Sequence, residues 1–310
     1  MTMATRKPQQ DFVMTDNFIA GFHDKLQKDE TPVGAAIVGS QNFALDDDGK
    51  WFTRPGSAYL GTVSSSTTAT TSAGKLVRRD GVEIPMVNYG TIIKIYHNLK
   101  ADWMDLLTGL TTGYSWGFGE SDLSSDNMNS IAFGNGQDSF EYWNGATALF
   151  SAATATTVTI QGTTTLANRG FTATGSIVIE ATSYTYTGIA GAGGLQFTGV
   201  SPDPSGSGYT TSSGIAQAPV AYAGNPKGSV FCPAQNGRVI IGNVRPSGSI
   251  YGGGQIYGSK NANATDYTQS SPRLANDGFI INYSESGDTI QGLAQFEGGI
   301  ILFKRFAASK

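Results

Sequence analysis

The segment Lys75-Leu76-Val77-Arg78-Arg79-Asp80-Gly81-Val82-Glu83-Ile84 decides the fold class. Two short, partly apolar stretches flank Asp80-Gly81, and an Asp-Gly pair in that position is among the strongest local signals for a β-hairpin. The same arrangement of strand, turn and strand recurs at residues 92–106 and 131–143. The sequence therefore predicts antiparallel strands that arrive in pairs.

The composition of the whole chain supports a β-rich fold. The 310 residues include 41 glycines, and only 14% of the residues are charged. Both values favour short strands joined by tight turns over packed helices. The uncharged runs 143–168 and 181–202 are saturated with Thr, Ser and Gly, so we predict strands and turns there and no membrane insertion. The run Val63–Gly74 is predicted as a loop.

An acidic residue beside an aromatic one follows several of the predicted turns, in Asp102-Trp103, Glu141-Tyr142-Trp143 and Asp266-Tyr267. Repeated strand–turn–strand units with an aromatic residue in one register are typical of propeller blades. A meandering β-sandwich would give much of the same pattern. The predicted fold is all-β, with propeller-like or sandwich-like antiparallel sheets. The aromatic residues predicted to anchor it are Trp103, Tyr142, Trp143 and Tyr267.

Changes in composition divide the chain into four parts. Residues 1–50 are predicted as an extended N-terminal arm with one short amphipathic helix within 16–26. Residues 51–150 and 219–310 are predicted as two parts of one β-domain, and the Thr- and Gly-rich residues 151–218 as a small β-module inserted between them. The arm needs a surface to dock on, in this chain or a neighbour. The predicted assembly contacts are Phe12, Phe18, Phe22 and Leu26.

The segment Gly299–Arg305 is a strongly apolar predicted strand close to residue 310. A bare apolar strand edge is an aggregation hazard. We therefore expect it to pair with an earlier strand of the chain or with a strand of a neighbouring subunit.

Charge and cysteine usage exclude several classes of function. The formal net charge of -4 disfavours direct nucleic-acid recognition, because phosphate neutralisation needs clustered Lys and Arg. A single cysteine excludes an intramolecular disulfide and predicts maturation in a reducing compartment. Residues 1–11 carry two cations with no apolar segment after them, so no secretory signal is expected.

Residues that usually carry catalysis are few. The two histidines, His23 and His97, cannot form a three-histidine metal site, and Cys232 lacks nearby cations that would activate its thiol. A pair of carboxylates for glycoside hydrolysis remains conceivable, because five of them lie in or beside predicted strands: Glu83, Asp102, Asp105, Asp138 and Glu141. We predict that the chain is not an enzyme, with no catalytic residues, no cofactor and no metal.

Three stretches carry a resemblance to a known family: Arg54-Pro55-Gly56-Ser57-Ala58-Tyr59-Leu60-Gly61, Asn135-Gly136-Gln137-Asp138 followed by Tyr142-Trp143-Asn144-Gly145, and Tyr184-Thr185-Tyr186-Thr187-Gly188. They resemble tailed-bacteriophage virion proteins, specifically the propeller-like tail or nozzle components, among them DNA-stabilisation and tail-tube proteins. Outside the Thr-rich module, which contains the third stretch, the likeness covers residues 11–149 and 219–305.

This resemblance implies a structural virion protein that takes part in host entry. It would be repeated as a homo-oligomer around the tail axis, in contact with other tail proteins and with the portal or connector. Assembly would take place in the cytoplasm of the bacterial host. Packaged DNA would lie nearby without specific binding, since an acidic channel wall lets DNA slide.

The competing interpretation is a carbohydrate-binding, receptor-recognition module of a phage tail. Exposed aromatic rings would then stack on sugars. Core packing of the same rings is the other use that the sequence allows. The residues concerned are Trp103, Trp116, Trp143, Tyr251 and Tyr257.

Overall fold

A computed structural model describes residues 21–23, 35–37, 43–45, 51–53, 60, 70–78, 80–122, 129–221, 226–234, 237–244, 253–261, 263, 265–282, 289–296, 299–304 and 308–309. The regular structure of these residues consists of β-strands with essentially no helix. The chain divides into two compact units, residues 1–59 and 60–310.

The first unit contains two short strand pairs. In one pair β1 (Gly21–His23) runs parallel to β2 (Ala35–Ile37), and in the other β3 (Phe43–Leu45) is antiparallel to β4 (Trp51–Thr53). The helix predicted within 16–26 is therefore wrong for the three residues of β1, and the rest of that segment lies outside the described residues. Pairing with β2 provides hydrogen-bond partners for the backbone N–H and C=O groups of β1, whereas an isolated helix of about three turns is only marginally stable in water.

The second unit begins with a four-stranded antiparallel meander, called here the first sheet. Its strands, in spatial order, are β5 (Thr70–Val77), β6 (Glu83–Tyr89), β7 (Ile92–His97) and β8 (Asp102–Leu107).

The register of the first sheet confirms the predicted hairpin. Leu76 lies opposite Ile84 and Val77 opposite Glu83, and Gly81 in the turn has a φ of +80°, a conformation that favours glycine. Because β5 already begins at Thr70, the predicted loop over Val63–Gly74 is wrong from that residue onward. Threonine suits a strand, so a Thr-rich run with no charge does not by itself indicate a loop.

The second sheet, called the central sheet, has the spatial order β19-β11-β10-β9. These strands are β9 (Gly117–Asp122), β10 (Asn129–Gly134), β11 (Glu141–Trp143) and β19 (Val220–Ala221). Strands β11 and β19 pair although the whole Thr-rich region lies between them in sequence. The chain therefore leaves the central sheet after β11 and returns to it at β19.

The intervening residues form a seven-stranded sheet, called the module sheet. Its strands are β12 (Thr147–Ala153), β13 (Thr157–Ile160), β14 (Gly175–Ile179), β15 (Thr182–Tyr186), β16 (Gly188–Ala190), β17 (Gln196–Thr198) and β18 (Gly214–Gln217), in the spatial order β15-β14-β18-β12-β13-β17-β16. Its two edge strands, β15 and β16, are separated in sequence only by Thr187. The sheet must therefore curl around its own apolar core, which includes Phe150, Phe171, Ile177, Tyr186, Phe197 and Ile215.

Two more antiparallel sheets complete the second unit. The third sheet is a meander of β20 (Val230–Ala234), β21 (Arg238–Val244), β22 (Gln255–Gly258) and β23 (Phe279–Asn282). The fourth sheet consists of β24 (Ile290–Phe296), β25 (Gly299–Lys304) and β26 (Ala308–Ser309).

The first, central, third and fourth sheets stack face to face, because alternate side chains along their strands form three further apolar cores. In β10, Ile131 and Phe133 enter the core shared with the first sheet, whereas Ala132 enters the core shared with the third sheet. In β21 the neighbours Ile241 and Ile240 likewise face opposite cores, the latter shared with the fourth sheet. Each inner sheet is thus apolar on both faces, as expected for a layer covered on both sides.

Glycines allow the central and third sheets to approach very closely. A Cβ atom on Gly117 would lie 2.0 Å from the backbone oxygen of Ser229, and one on Gly119 would lie 2.5 Å from the Cβ of Phe231. Phe118, between them in β9, points the other way and stacks on Phe133, with ring centroids 5.9 Å apart. Alternate residues of β9 therefore serve different layers.

The second unit is an all-β, sandwich-like assembly of antiparallel sheets, as the sequence predicts. None of its sheets closes into a barrel over the described residues. The propeller arrangement stays a prediction.

Candidate functional site

Of the four predicted assembly contacts, Phe12, Phe18 and Leu26 lie outside the described residues. Phe22 lies at the centre of β1, paired with Ala36 of β2. The role of these four residues in assembly stays a prediction.

Trp103 lies on the outer face of the first sheet, where it is half-buried. Its indole Nε1–H donates a hydrogen bond to the carbonyl oxygen of Leu60 at 2.6 Å. Its ring meets the cross-strand neighbour Tyr96 edge-on, with centroids 5.8 Å apart. The same face carries two charged pairs, Lys75 with Glu83 and Lys94 with Asp105, together with the less polar residues Pro85, Val87 and Tyr89 of β6. It is a solvated face with one aromatic pair on it.

The other predicted anchors lie in the cores. Trp143 is 1% exposed and packs between the first and central sheets, while Tyr142 and Tyr267 pack between the central and third sheets. Tyr267 meets the ring of Phe140 edge-on at 5.8 Å between centroids. Among the proposed sugar-stacking residues, Trp116 is also buried, Tyr257 is half-buried against the same core as Tyr267, and Tyr251 lies outside the described residues.

Trp143 also ties the central sheet to the module sheet. Its indole Nε1–H donates to the carbonyl oxygen of Gln217 at the end of β18, at 2.7 Å. The side chain of Gln217 in turn donates to the carbonyl oxygen of Ser176 in β14 and accepts from the hydroxyl group of Tyr186. Val178, from the module sheet, enters the same core as Trp143.

His97 makes a second connection to the module sheet. It is fully buried at the end of β7, its Nδ1 accepts the backbone N–H of Lys100 at 3.1 Å, and its Nε2 therefore carries the proton and donates to the carbonyl oxygen of Ile215 at 3.1 Å. Burial lowers the pKa of His97 and outweighs its backbone hydrogen bonds. A neutral imidazole with both nitrogens engaged acts as a structural link. His23 lies in β1, and its side chain is not described.

An ion pair completes this junction. Lys100 Nζ lies 2.6 Å from Glu180 Oε2, and Glu180 Oε1 accepts the backbone N–H of Gly214 at 2.8 Å. The turn between β7 and β8 is therefore held against β14 and β18 by charge as well as by apolar packing. We call the contacts of His97, Lys100 and Trp143 with the module sheet the module junction.

The five carboxylates considered for catalysis lie in different places and have different partners. Glu83 pairs with Lys75 at 2.7 Å on the outer face, Asp105 pairs with Lys94 on the same face, and Asp102 lies opposite His97 in the first sheet. Asp138 and Glu141 lie near each other by the central sheet, where the charge of Asp138 acts on Glu141.

Asp138 holds a rigid turn. Its carboxylate accepts the backbone N–H of Thr111 at 2.9 Å, the Thr111 hydroxyl at 2.7 Å and the side-chain amide of Asn135 at 2.9 Å. Partial burial acts to raise the pKa of Asp138, but these hydrogen bonds and the charge of Lys227 outweigh it, so the pKa lies below its ordinary value. The carboxylate is therefore ionised at neutral pH, and its oxygens accept hydrogen bonds from Thr111 and Asn135.

Glu141 has the opposite environment. It is 8% exposed and lies opposite Phe133 in the central sheet. Burial, together with the charge of Asp138, raises the pKa of Glu141 from 4.5 to about 7. Ionisation of a largely buried carboxylate beside another negative charge destabilises the folded state.

Replacing Glu141 with glutamine is expected to flatten the dependence of stability on pH. Between pH 4.5 and about 7 the folded state holds a proton that the unfolded chain releases, so the wild-type free energy of unfolding falls as pH rises through this window. The loss is about 2–3 kcal/mol. Glu141→Gln is therefore expected to exceed the wild type in stability at pH 8 and to match it at pH 4, in urea unfolding.

The control for that measurement is Glu83→Gln, at an exposed glutamate of the same chain. Its pH profile is expected to follow that of the wild type. Equal slopes for the wild type and Glu141→Gln would contradict the assignment of Glu141 as a buried acid.

Two further groups bear on chemistry. Cys232 is buried in the core between the third and fourth sheets, and burial raises the pKa of its thiol. Over the described ranges, His, Cys, Asp and Glu side chains do not gather into a group of three or more that could hold a metal ion. Within the same ranges no helix is both long and apolar enough to cross a membrane.

From the sequence, His97 is considered only as a metal ligand and Glu141 only as one carboxylate among five. A signal for Glu141 was present, because it precedes Tyr142-Trp143 in a run whose neighbours are all core residues. The burial of His97 depends on β18, which is far away in sequence, so no local pattern predicts it.

The sequence matches no protein-family model, and comparison with curated proteins finds no significant relative.

Proposed function

We propose that the chain is a structural virion protein of a tailed bacteriophage, a repeated subunit of the tail, nozzle or head–tail region that acts through protein–protein contacts. The observation that supports this best is how the chemically capable side chains are used. His97, Asp138 and Glu180 each hold one part of the fold against another. These contacts fix neighbouring parts of the fold relative to each other, and a structural subunit that is repeated many times requires a rigid fold.

The resemblance of three sequence stretches to tail proteins supplies the phage context of the proposal. The implied partners are further copies of the chain, other tail proteins and the portal or connector. The implied location is the virion tail after assembly in the host cytoplasm. In this proposal the chain is not an enzyme and uses no cofactor.

Immunogold labelling of phage particles with an antibody to this chain tests the proposal. We expect label at the tail, and none with an antibody to an unrelated protein of the host. A second measurement is assembly of the purified chain with tail or portal proteins, expected to be lost when residues 1–30 are deleted. Unlabelled particles, or turnover of a sugar, ester or phosphate substrate by the purified chain, would contradict the proposal.

The aromatic pair on the first sheet favours a second candidate, a carbohydrate-binding module. Tyr96 and Trp103 are the half-buried pair on a solvated face, whereas Trp116 and Trp143 are buried. Glycan-array binding that disappears in Trp103→Ala and persists in Leu99→Ala would favour this candidate. If the chain has only a structural role, neither the wild type nor the Leu99→Ala variant should bind glycans.

A further inference from the structure

Two arginines approach the corner at which the chain leaves the central sheet for the module sheet. Arg78, just after β5, donates from Nη1 to the carbonyl oxygen of Gly145 at 3.2 Å. From the same corner, the side-chain amide of Asn144 donates at 2.7 Å to the carbonyl oxygen of Gly170, the residue after Arg169. We call this group of residues, Arg78, Asn144, Gly145 and Arg169, the arginine corner.

The arginine corner carries a net positive charge. Burial and the charge of Arg78 lower the pKa of Arg169, so the two guanidinium groups are close enough to repel each other. Among the described residues, the carboxylate that pairs with one of them is Asp80, whose Oδ2 lies 2.9 Å from Nη2 of Arg78. One negative charge thus faces two positive charges.

A second pair of arginines, beside the third sheet, is balanced differently. Burial and the charge of Arg273 lower the pKa of Arg238, whereas the carboxylate of Asp277 acts in the opposite direction. Arg238 also donates to the backbone carbonyl oxygen of Asp277 at 2.8 Å. Within the described residues, no carboxylate offsets the charge that acts on Arg169.

Both guanidinium groups of the arginine corner keep N–H donors that the described residues do not use. A guanidinium group has five such donors. Arg78 uses one N–H on Nη1 and one on Nη2, and its Nε is buried without a hydrogen-bond partner. Arg169 donates from Nε to Thr164 and from Nη2 to Gln161, which leaves both N–H groups of its Nη1. A ligand with several oxygen acceptors would match this set of donors.

The absence of a side chain leaves space beside one of these groups. Gly162 is exposed, and a Cβ at that position would lie 3.1 Å from Nη2 of Arg169. Arg169 is half-buried, and the side chain of Arg78 is 12% exposed. The corner is therefore open to a small ligand on the side of Gly162. Partial burial strengthens charge-assisted hydrogen bonds relative to an open surface.

We propose that the arginine corner binds a small oxyanion, such as inorganic phosphate or sulfate, between Arg78 and Arg169. Planar guanidinium groups suit such ligands, because two parallel N–H groups donate to two oxygens of the anion. The anion would offset the repulsion between the arginines and join the turn after β5 to the module sheet. The partial burial of the donors and the net charge of -4 favour a free anion over the backbone of a nucleic acid. This inference is independent of the proposed function.

Isothermal titration calorimetry of the full chain with inorganic phosphate, at an ionic strength kept constant with sodium chloride, tests the inference. The wild type is expected to bind one phosphate per chain. Arg169→Gln removes one charged donor group, so the dissociation constant should rise about 10-fold or more. Arg169→Lys keeps the charge without the planar fork and should give an intermediate value. Arg273→Gln is the matched control, and its dissociation constant should equal that of the wild type.

Thermal unfolding gives a second readout. Phosphate should raise the melting temperature of the wild type above that in chloride of equal ionic strength, because a ligand that binds the folded state stabilises it. The same addition should leave the melting temperature of Arg169→Gln unchanged. The melts without phosphate also verify that each variant folds, and Arg169→Lys replaces Arg169→Gln if the latter does not.

Three results would overturn the inference: no saturable binding of phosphate by the wild type, equal affinity of the wild type and Arg169→Gln, or an equal loss of affinity in Arg273→Gln. Oligothymidylate, added at the same concentration of phosphate groups, should not compete. Competition by it would overturn a free anion as the occupant and assign the site to the phosphates of a nucleic acid. Virion labelling is measured separately, so the proposed function stands or falls without this site.

Discussion

Trp143→Ala is expected to lower the free energy of unfolding by about 3–5 kcal/mol, the range for truncating a fully buried Trp. The indole fills the core between the first and central sheets and is 1% exposed. The substitution leaves a large cavity and deprives the carbonyl oxygen of Gln217 of its donor at the module junction. The loss should appear as a lower midpoint in urea unfolding.

Two companion variants keep this prediction testable if Trp143→Ala does not fold. Trp143→Phe retains an aromatic ring and removes the donor, for an expected loss of about 1–3 kcal/mol. Trp103→Ala removes the half-buried indole on the solvated face and should cost about 1–2 kcal/mol. A larger loss for Trp103→Ala than for Trp143→Ala would contradict the placement of these two rings.

Gly117→Ala is expected to destabilise the chain by about 3 kcal/mol or more, although it adds a single methyl group. The new Cβ would lie 2.0 Å from the backbone oxygen of Ser229, so β9 and β20 would have to separate. A backbone atom cannot move aside as a flexible side chain can. Thermal and urea unfolding measure the loss.

The matched control is Gly206→Ala, since a Cβ on Gly206 meets no atom within 4 Å. Its free energy of unfolding should stay within about 0.5 kcal/mol of the wild type. If Gly117→Ala is equally harmless, β9 and β20 do not pack as closely as described.

Local patterns predicted the hairpins well. The strand pairs at 75–84, 92–106 and 131–143 form where expected, because Gly and Asn turns and period-two apolar residues act over a few neighbouring positions. They failed at Gly21–His23, where helical spacing competes with pairing to a strand, and at Thr70–Gly74, where a polar run is part of β5.

The candidate site was less accessible to sequence reasoning. Asp138 and Glu141 both carry a carboxylate, yet their pKa values shift in opposite directions. Hydrogen bonds from Thr111 stabilise one carboxylate, and burial beside Phe133 destabilises the other. Thr111 is 27 residues away from Asp138 in sequence, so no local pattern predicts that contact, whereas the apolar neighbours of Glu141 give a local signal of its burial.

By itself, the sequence determined that this protein is all-β, where its hairpins turn, and that its residues can form neither an intramolecular disulfide nor a three-histidine metal site. These properties depend on composition and on neighbours a few positions apart. Only the tertiary structure decided that His97 and Trp143 join the module sheet to the rest, that Gly117 marks a close crossing of strands, and that Arg78 and Arg169 approach the same corner of the chain. Burial depends on which distant strands pack together, and residues that meet through such packing can be far apart in sequence.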